Sequence, residues 1–150
     1  MSLKTWMAKY YPTDAKKVKT TREALKHSLR KWRGLYPGIL KEHGLEKNTD
    51  IYSNICDEFN DLAIDVSTCA LCHKFLGYDP ENEAPPEHQR CTKCPLKIIS
   101  GYRCDDHDYR MYQKWSEGGD PKPMVKLLEK ALRKLSKKRK AKKKEDSNGH

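Results

Sequence analysis

The segments Cys69-Ala70-Leu71-Cys72 and Cys91-Thr92-Lys93-Cys94 form two Cys-x2-Cys pairs with 18 residues between them. This spacing matches the four-cysteine zinc signature, in which two short knuckles close on one tetrahedral ion. Each knuckle turns two thiolates toward one point, and backbone N–H groups between them can support the negative sulfurs. Zinc accepts four such ligands at about 2.3 Å in a closed shell, leaving no position for a substrate. The expected cofactor is therefore a structural Zn2+ held by Cys69, Cys72, Cys91 and Cys94. Disulfides and an iron–sulfur cluster are weaker readings. No hydrophobic leader is visible, which points to a reducing, cytoplasmic setting and disfavours disulfides.

A fifth thiol, Cys104, follows Cys94 with nine residues between them and is an alternate ligand. His73 and His107 flank the pairs; such histidines are more often exposed or outer residues than ligands. Cys56 falls outside the spacing and reads as an ordinary half-buried cysteine. The tetrad Asp105-Asp106-His107-Asp108 has metal-ligand residue types. It also precedes Tyr109-Arg110-Met111-Tyr112-Gln113-Lys114-Trp115, a candidate helix whose N-terminus acids would favour. Capping is its expected role. A catalytic divalent site on Asp105, Asp106 and Asp108 is the competing one.

These residues must be positioned by a small core. The chain has 150 residues, 36% of them hydrophobic, and a mean hydropathy of −0.99. A metal that contributes folding free energy suits such a composition. No apolar run approaches the roughly 20 residues of a membrane span. Charge is segregated. Residues 1–47 carry 12 Lys/Arg against four acids, residues 48–89 one Lys against nine acids, and residues 126–144 eleven Lys/Arg against one Glu.

The N-terminal segment reads as helical. Ser2 caps a short helix through Tyr10 that ends near Pro12. Thr20 and Glu23 form a capping box for a second helix. Ala24, Leu25, Ser28, Leu29, Trp32 and Leu35 recur there at helical spacing, with Arg22, Lys26, Arg30 and Arg33 toward the other side. Trp32 and Leu29 read as core. In the acidic middle, Ile51, Ile55 and Phe59 suit a helix over 50–60. Leu62, Ile64 and Val66 alternate as a strand leading into the first knuckle. A loop through Gly77 and Pro86 joins the knuckles. Leu96, Ile98 and Ile99 read as a second strand, ended by Gly101. Gly118-Gly119 marks a hinge. Asp120 and Pro121 then open an amphipathic helix of Met124, Leu127, Leu128, Ala131, Leu132 and Leu135. From Lys137 to Lys144 the chain is almost continuous Lys/Arg, which predicts a disordered tail.

Two stretches resemble small proteins of tailed bacteriophages. One is Trp6-Met7-Ala8-Lys9-Tyr10-Tyr11-Pro12 with Ala24-Leu25-Lys26-His27-Ser28-Leu29-Arg30-Lys31-Trp32-Arg33-Gly34-Leu35. The other is Ser67-Thr68-Cys69-Ala70-Leu71-Cys72 with Cys91-Thr92-Lys93-Cys94-Pro95-Leu96 and Gly101-Tyr102-Arg103-Cys104. The resemblance implies a phage setting, a host-cell cytoplasm and the same cysteine framework. It implies no catalytic residue, and the basic tail departs from it.

The expected fold is α+β: a small zinc-ribbon-like β element stapled by cysteines, flanked by N- and C-terminal helices. Its expected parts are a basic helical segment 1–47, a zinc core 48–118 with an acidic first half, a helix 119–136 and a disordered basic tail 137–150. The expected function is a non-enzymatic binding protein that contacts nucleic acid through Arg30, Lys31 and Arg33 and through Lys137, Lys138, Arg139, Lys140, Lys142, Lys143 and Lys144. Such contacts release counterions and carry little sequence preference. Bases could stack on Trp6, Tyr10 or Tyr102, although packing inside is the commoner fate of such rings. The alternatives are a metal-dependent nuclease built on His107 and its aspartates, and an inhibitor that binds a host protein through the acidic segment. No membrane partner is expected.

Overall fold

A computed structural model describes residues 3–45, 51–52, 62–63, 69–75, 91–101, 115 and 120–148. The chain order is α1 (Leu3–Tyr10), a 3-10 turn (Ala15–Lys17), α2 (Thr21–Arg33) and α3 (Pro37–Glu42). Two short extended pieces come next, β1 (Ile51–Tyr52) and β2 (Leu62–Ala63). The chain ends with α4 (Ala70–Phe75), α5 (Pro95–Ser100) and the long α6 (Lys122–Asn148).

Helix dominates, and the α+β expectation is corrected. The extended pairing among the described residues is a two-residue parallel bridge, Ile51 with Leu62 and Tyr52 with Ala63. It is far too short to form a layer. Neither cysteine pair lies on a ribbon. Cys69 directly precedes α4, and Cys94 is the N-cap of α5 with Pro95 at its first position. The stretch Leu96–Ile99, expected as a strand, is helix for a physical reason. Proline is pre-set for a first helical turn, and Gly101 closes the helix in the left-handed region at φ 80°. A short apolar run alone does not separate strand from helix.

Helix α2 is the centre of the molecule and packs against α1, α4 and α6, while α5 packs against α6. Its start is capped as expected: the Thr20 hydroxyl accepts the Glu23 N–H at 3.1 Å. Being enclosed, α2 buries two adjoining faces. Leu25, Leu29 and Trp32 form one; Ala24, Ser28 and Lys31 form the other. A narrow stripe of Glu23, Lys26, Arg30 and Arg33 is exposed along the helix, with Thr21 and Arg22 half-buried at its start.

The aromatic residues of α1 are core. Trp6 is fully buried, and its indole N–H donates to the Gly34 carbonyl at 2.8 Å. Tyr10 packs beside Trp6 and edge-on to His43. The Ala15 N–H donates to the Tyr11 hydroxyl at 3.0 Å, which pins the 3-10 turn. Trp32 meets the buried Trp115 edge to face at 5.5 Å between centroids.

Helix α6 begins where expected, with the Lys122 N–H donating to Asp120 Oδ1 at 3.0 Å. It does not stop near residue 136. It runs to Asn148, so the expected disordered tail is continuous helix instead. Lys, Arg and Ala are strong helix formers, and a helix already anchored through Met124, Val125, Leu127, Leu128 and Ala131 needs no new nucleus. Propensity here outweighs like-charge repulsion. Among the described residues, no helix is long and apolar enough to cross a membrane.

Candidate nucleic-acid interface and thiol cluster

The exposed stripe of α2 faces α1 across an open groove of about 360 Å³, lined by Lys9, Tyr10, Lys26, Leu29, Arg30 and Arg33. Tyr10 and Leu29, both nearly buried, form its apolar floor. Among the described residues, four cations and no acid line it. Helical spacing explains the arrangement: positions 26, 30 and 33 fall on one face of α2. The Arg30 side chain donates to the Lys9 carbonyl, tying the two rims together. Lys9 Nζ stands over the Tyr10 ring, 5.3 Å from its centroid. Arg33 donates to Glu129 of α6 at 3.1 Å. That pair is solvent-exposed and contributes little stability by itself, but it joins the groove to the basic helix.

On α6, residues 137–148 are exposed throughout. Lys137, Lys138, Arg139, Lys140, Lys142, Lys143 and Lys144 therefore stand on a rod, where positions 137–144 alone would extend about 12 Å at 1.5 Å per residue. Arg22 of α2 reaches this helix and donates to the Ser136 hydroxyl at 3.0 Å.

Three expected contacts need revision. Lys31 is 1% exposed, so unlike the exposed Arg30 and Arg33 it presents no charge at the surface. Trp6, at 0% exposed, offers no stacking face, and Tyr10 offers little more than the floor of the groove. Lys9 and Lys26 belong to the groove and were absent from the expected contact set. The signal for Lys26 was its seven-residue offset from Arg33 with Arg30 between; Lys9 carried none, because its place depends on how α1 folds back.

The four paired cysteines occupy one buried neighbourhood. Cys72, Cys91 and Cys94 are buried and Cys69 is half-buried. All four are free thiols. The Cys72 N–H points at Cys69 Sγ, 3.4 Å away, and the Cys94 N–H donates to the Cys91 carbonyl at 3.0 Å. The hydrogen bond from the Cys72 side chain pulls the Cys69 thiol down to about 5. Burial opposes it, and the Lys31 charge and the N–H groups of Cys72 and Leu71 reinforce it. Burial pushes Cys94 up to about 12; N–H groups of Leu96 and Lys97 act against this, and the charges of Cys69 and Cys91 add to it. Cys94 thus feels both a member of its own pair and one of the other. Cys91 has φ 60°, the one positive value among the described non-glycine residues. A cysteine held there is a strained position of the kind functional sites keep.

As they lie, no three His, Cys, Asp or Glu side chains among the described residues stand close enough to hold one ion. The donor set nonetheless suits zinc chemically: four soft thiols, paired at knuckle spacing, with both pairs in contact with the same core. His73 is half-buried on α4, and its backbone N–H donates to the Cys69 carbonyl at 3.1 Å. Cys56, Tyr102, Cys104 and the Asp105–Asp108 tetrad lie outside the described residues, as does most of the acidic segment.

Comparison with protein-family models, curated proteins and solved structures finds no match.

Proposed function

We propose that this protein is a helical, zinc-stabilised nucleic-acid-binding module. The observation that carries the reading is the groove in which Lys9, Lys26, Arg30 and Arg33 converge, joined through the Arg33–Glu129 pair to α6 and its cationic rod. Two basic features far apart in sequence become one surface. Phosphates bound there would release counterions, giving affinity that falls steeply with salt and depends weakly on sequence. The groove floor supplies apolar contact rather than base-edge hydrogen bonds, which again favours backbone over base recognition.

Zinc enters as a staple rather than as a reagent. Cys69, Cys72, Cys91 and Cys94 would hold it, tying α4 and α5 together beneath α2 and α6. A closed four-thiolate shell supplies folding free energy and no open coordination position. The charge-segregated composition supports the same division of labour, with a small core inside and polyanion contacts outside.

Fluorescence anisotropy with labelled oligonucleotides tests the reading. Binding to unrelated DNA or RNA sequences that weakens as salt rises is the expected result. No binding at 50 mM salt, at protein concentrations up to about 100 µM, where non-specific binders associate, would refute it. Magnesium-dependent cleavage that is lost in an Asp106→Ala/His107→Ala protein would instead make the chain a nuclease. The acidic segment is the counterpart for a protein partner, and binding to a purified host protein that survives nuclease treatment would favour that reading.

A further inference from the structure

Helix α6 is longer and more uniformly charged than its packing requires. Its buried residues are Met124, Val125, Leu127, Leu128 and Ala131. On the opposite side, Lys122, Lys126, Lys130 and Arg133 are exposed. At about 100° per residue these four fall within one narrow arc. The same arc continues through Lys137, Lys140 and Lys144, all exposed. Steps of three and four residues average close to the helical repeat, so the line is nearly straight. From Lys122 to Lys144 it runs about 33 Å at 1.5 Å per residue. A solvent face normally mixes both signs of charge. Here Glu129 is the one acid between Lys122 and Lys144, and Arg33 engages it. The direction of α6 is fixed as well. Arg33 at the end of α2 meets Glu129, and Arg22 near its start meets Ser136, so the two helices run antiparallel. Beyond Ser136, α6 leaves the body past the start of α2, which is why residues 137–148 are exposed throughout.

We propose, resting on the nucleic-acid reading above, that α6 is a docking element for double-stranded DNA, met along the line from Lys122 to Lys144. A straight, rigid line of about 33 Å is nearly one turn of duplex, about 34 Å. Duplex DNA is stiff over that length, whereas a single strand must be ordered to lie along it. The two parts of α6 divide the contact. Residues 137–144 carry cations on every side. An α-helix about 10–12 Å across enters the major groove, about 12 Å wide, where phosphates stand on both flanks. Lys122, Lys126, Lys130 and Arg133 face one way only and meet the phosphates bordering that groove. The deep, narrow major groove of an RNA duplex does not admit the rod. Single strands are held by stacking on aromatic side chains, and α6 has none. An anionic membrane surface attracts the same cations, but an interfacial helix inserts an apolar face. The apolar face of α6 is buried in the core.

The test is fluorescence anisotropy of the full chain on a labelled DNA duplex of about 20 base pairs, or two turns. Unlabelled duplex, its single strand, an RNA duplex of the same sequence and phosphatidylserine vesicles compete at equal phosphate. The DNA duplex is expected to compete at least about tenfold better than the other three. Seven contacts at slopes of about 0.9 for duplex against 0.7 for single strand separate those two by that order at about 0.1 M salt. A salt titration then compares the native protein with Lys122→Gln/Lys126→Gln/Lys130→Gln/Arg133→Gln. All four positions are exposed, and glutamine is a good helix former. The slope on duplex should flatten by about 3.6, from four contacts at 0.9 each. A folded variant with the native slope overturns the proposal. Equal competition by the single strand or the RNA duplex overturns it and leaves the broader nucleic-acid reading standing. Equal competition by the vesicles overturns it in favour of a membrane surface. A native protein that binds no nucleic acid overturns both readings together. Should the quadruple variant fail to fold, Lys126→Gln/Lys130→Gln enters the same titration with an expected flattening of about 1.8, and a native slope there overturns the proposal.

Discussion

Replacing Gly34 with alanine tests the packing that shapes the groove floor. Gly34 ends α2 with φ −73°, an ordinary right-handed value, so its backbone does not require glycine. Space does. A Cβ there would stand 2.5 Å from Tyr10 Cγ, 2.8 Å from Tyr10 Cβ and 2.9 Å from Trp6 Cζ2. These are the stiff inner atoms of two core side chains, and the Trp6 indole is also held by its bond to the Gly34 carbonyl. Overpacking of this kind costs about 1–3 kcal/mol. Alanine recovers about 0.4–1 kcal/mol by restricting the unfolded chain. The net loss is about 1–2 kcal/mol, and at about 2–4 °C per kcal/mol for a chain of this size the melting temperature falls by about 2–8 °C. Gly38 is the matched control. An alanine Cβ there meets nothing within 4 Å, and the position lies in α3. Gly38→Ala should therefore raise stability by about 0.5–1 kcal/mol. Calorimetric melts of both variants give the comparison. A G34A protein as stable as the native one, or more so, would refute the close approach of Trp6 and Tyr10 to the end of α2.

Truncation after Ser136 should remove far-ultraviolet helical signal in proportion to the lost turns of α6 while leaving the melting temperature unchanged, because residues 137–148 are wholly exposed; a large drop in melting temperature would show that the distal helix packs on the core. His27 is neutral in the fold. Burial holds its imidazole below the ordinary 6.5, with Lys31 and Arg30 acting the same way and the hydrogen bond to the Thr13 carbonyl and the Asp14 charge opposing. Its other ring nitrogen has no described partner, so a second proton there would be buried unsatisfied. The stability it contributes is therefore present above pH 6.5 and lost as pH falls through the depressed value. Melts from pH 7.5 to 5 should show that loss in the native protein and less of it in His27→Gln; parallel profiles would contradict it. Mass spectrometry under native conditions should find about one zinc per chain, and a strong chelator should lower the melting temperature; metal-free protein purified without chelator would remove the staple from the account.

The helices were legible where local chemistry spoke alone. Pro12 bounds α1, and Thr20 caps α2 through the Glu23 N–H. The buried stripe of Leu25, Leu29 and Trp32 is set by spacing. Lys31 was not legible, because a polar residue off the apolar stripe normally faces water. Enclosure of α2 by three other helices is a tertiary fact that no single-helix period reveals. Leu96, Ile98 and Ile99 misled for a different reason: six residues are too few to distinguish periods, and the deciding signals were Pro95 and Gly101. In the cationic rod, the helix propensity of Lys, Arg and Ala outweighs a repulsion that composition alone makes look dominant. The cysteine spacing is plain in the chain, but the helical setting of both pairs is not, since a knuckle motif specifies a turn and allows either a strand or a helix beyond it.

The most direct test of the central claim is the salt dependence of nucleic-acid binding in a groove variant. Lys26, Arg30 and Arg33 are exposed, so Lys26→Ala/Arg30→Ala/Arg33→Ala should fold normally. Each phosphate contact contributes about 0.9 to the slope of log affinity against log salt for duplex DNA, so removing three such cations should flatten that slope by about 2.7. A titration from 50 to 200 mM salt with the full-length native and triple-variant proteins reads this out. Weaker binding at low salt and a slope flatter by about two to three are expected. An unchanged slope, with the variant folded, would contradict it and leave the groove without a role in binding.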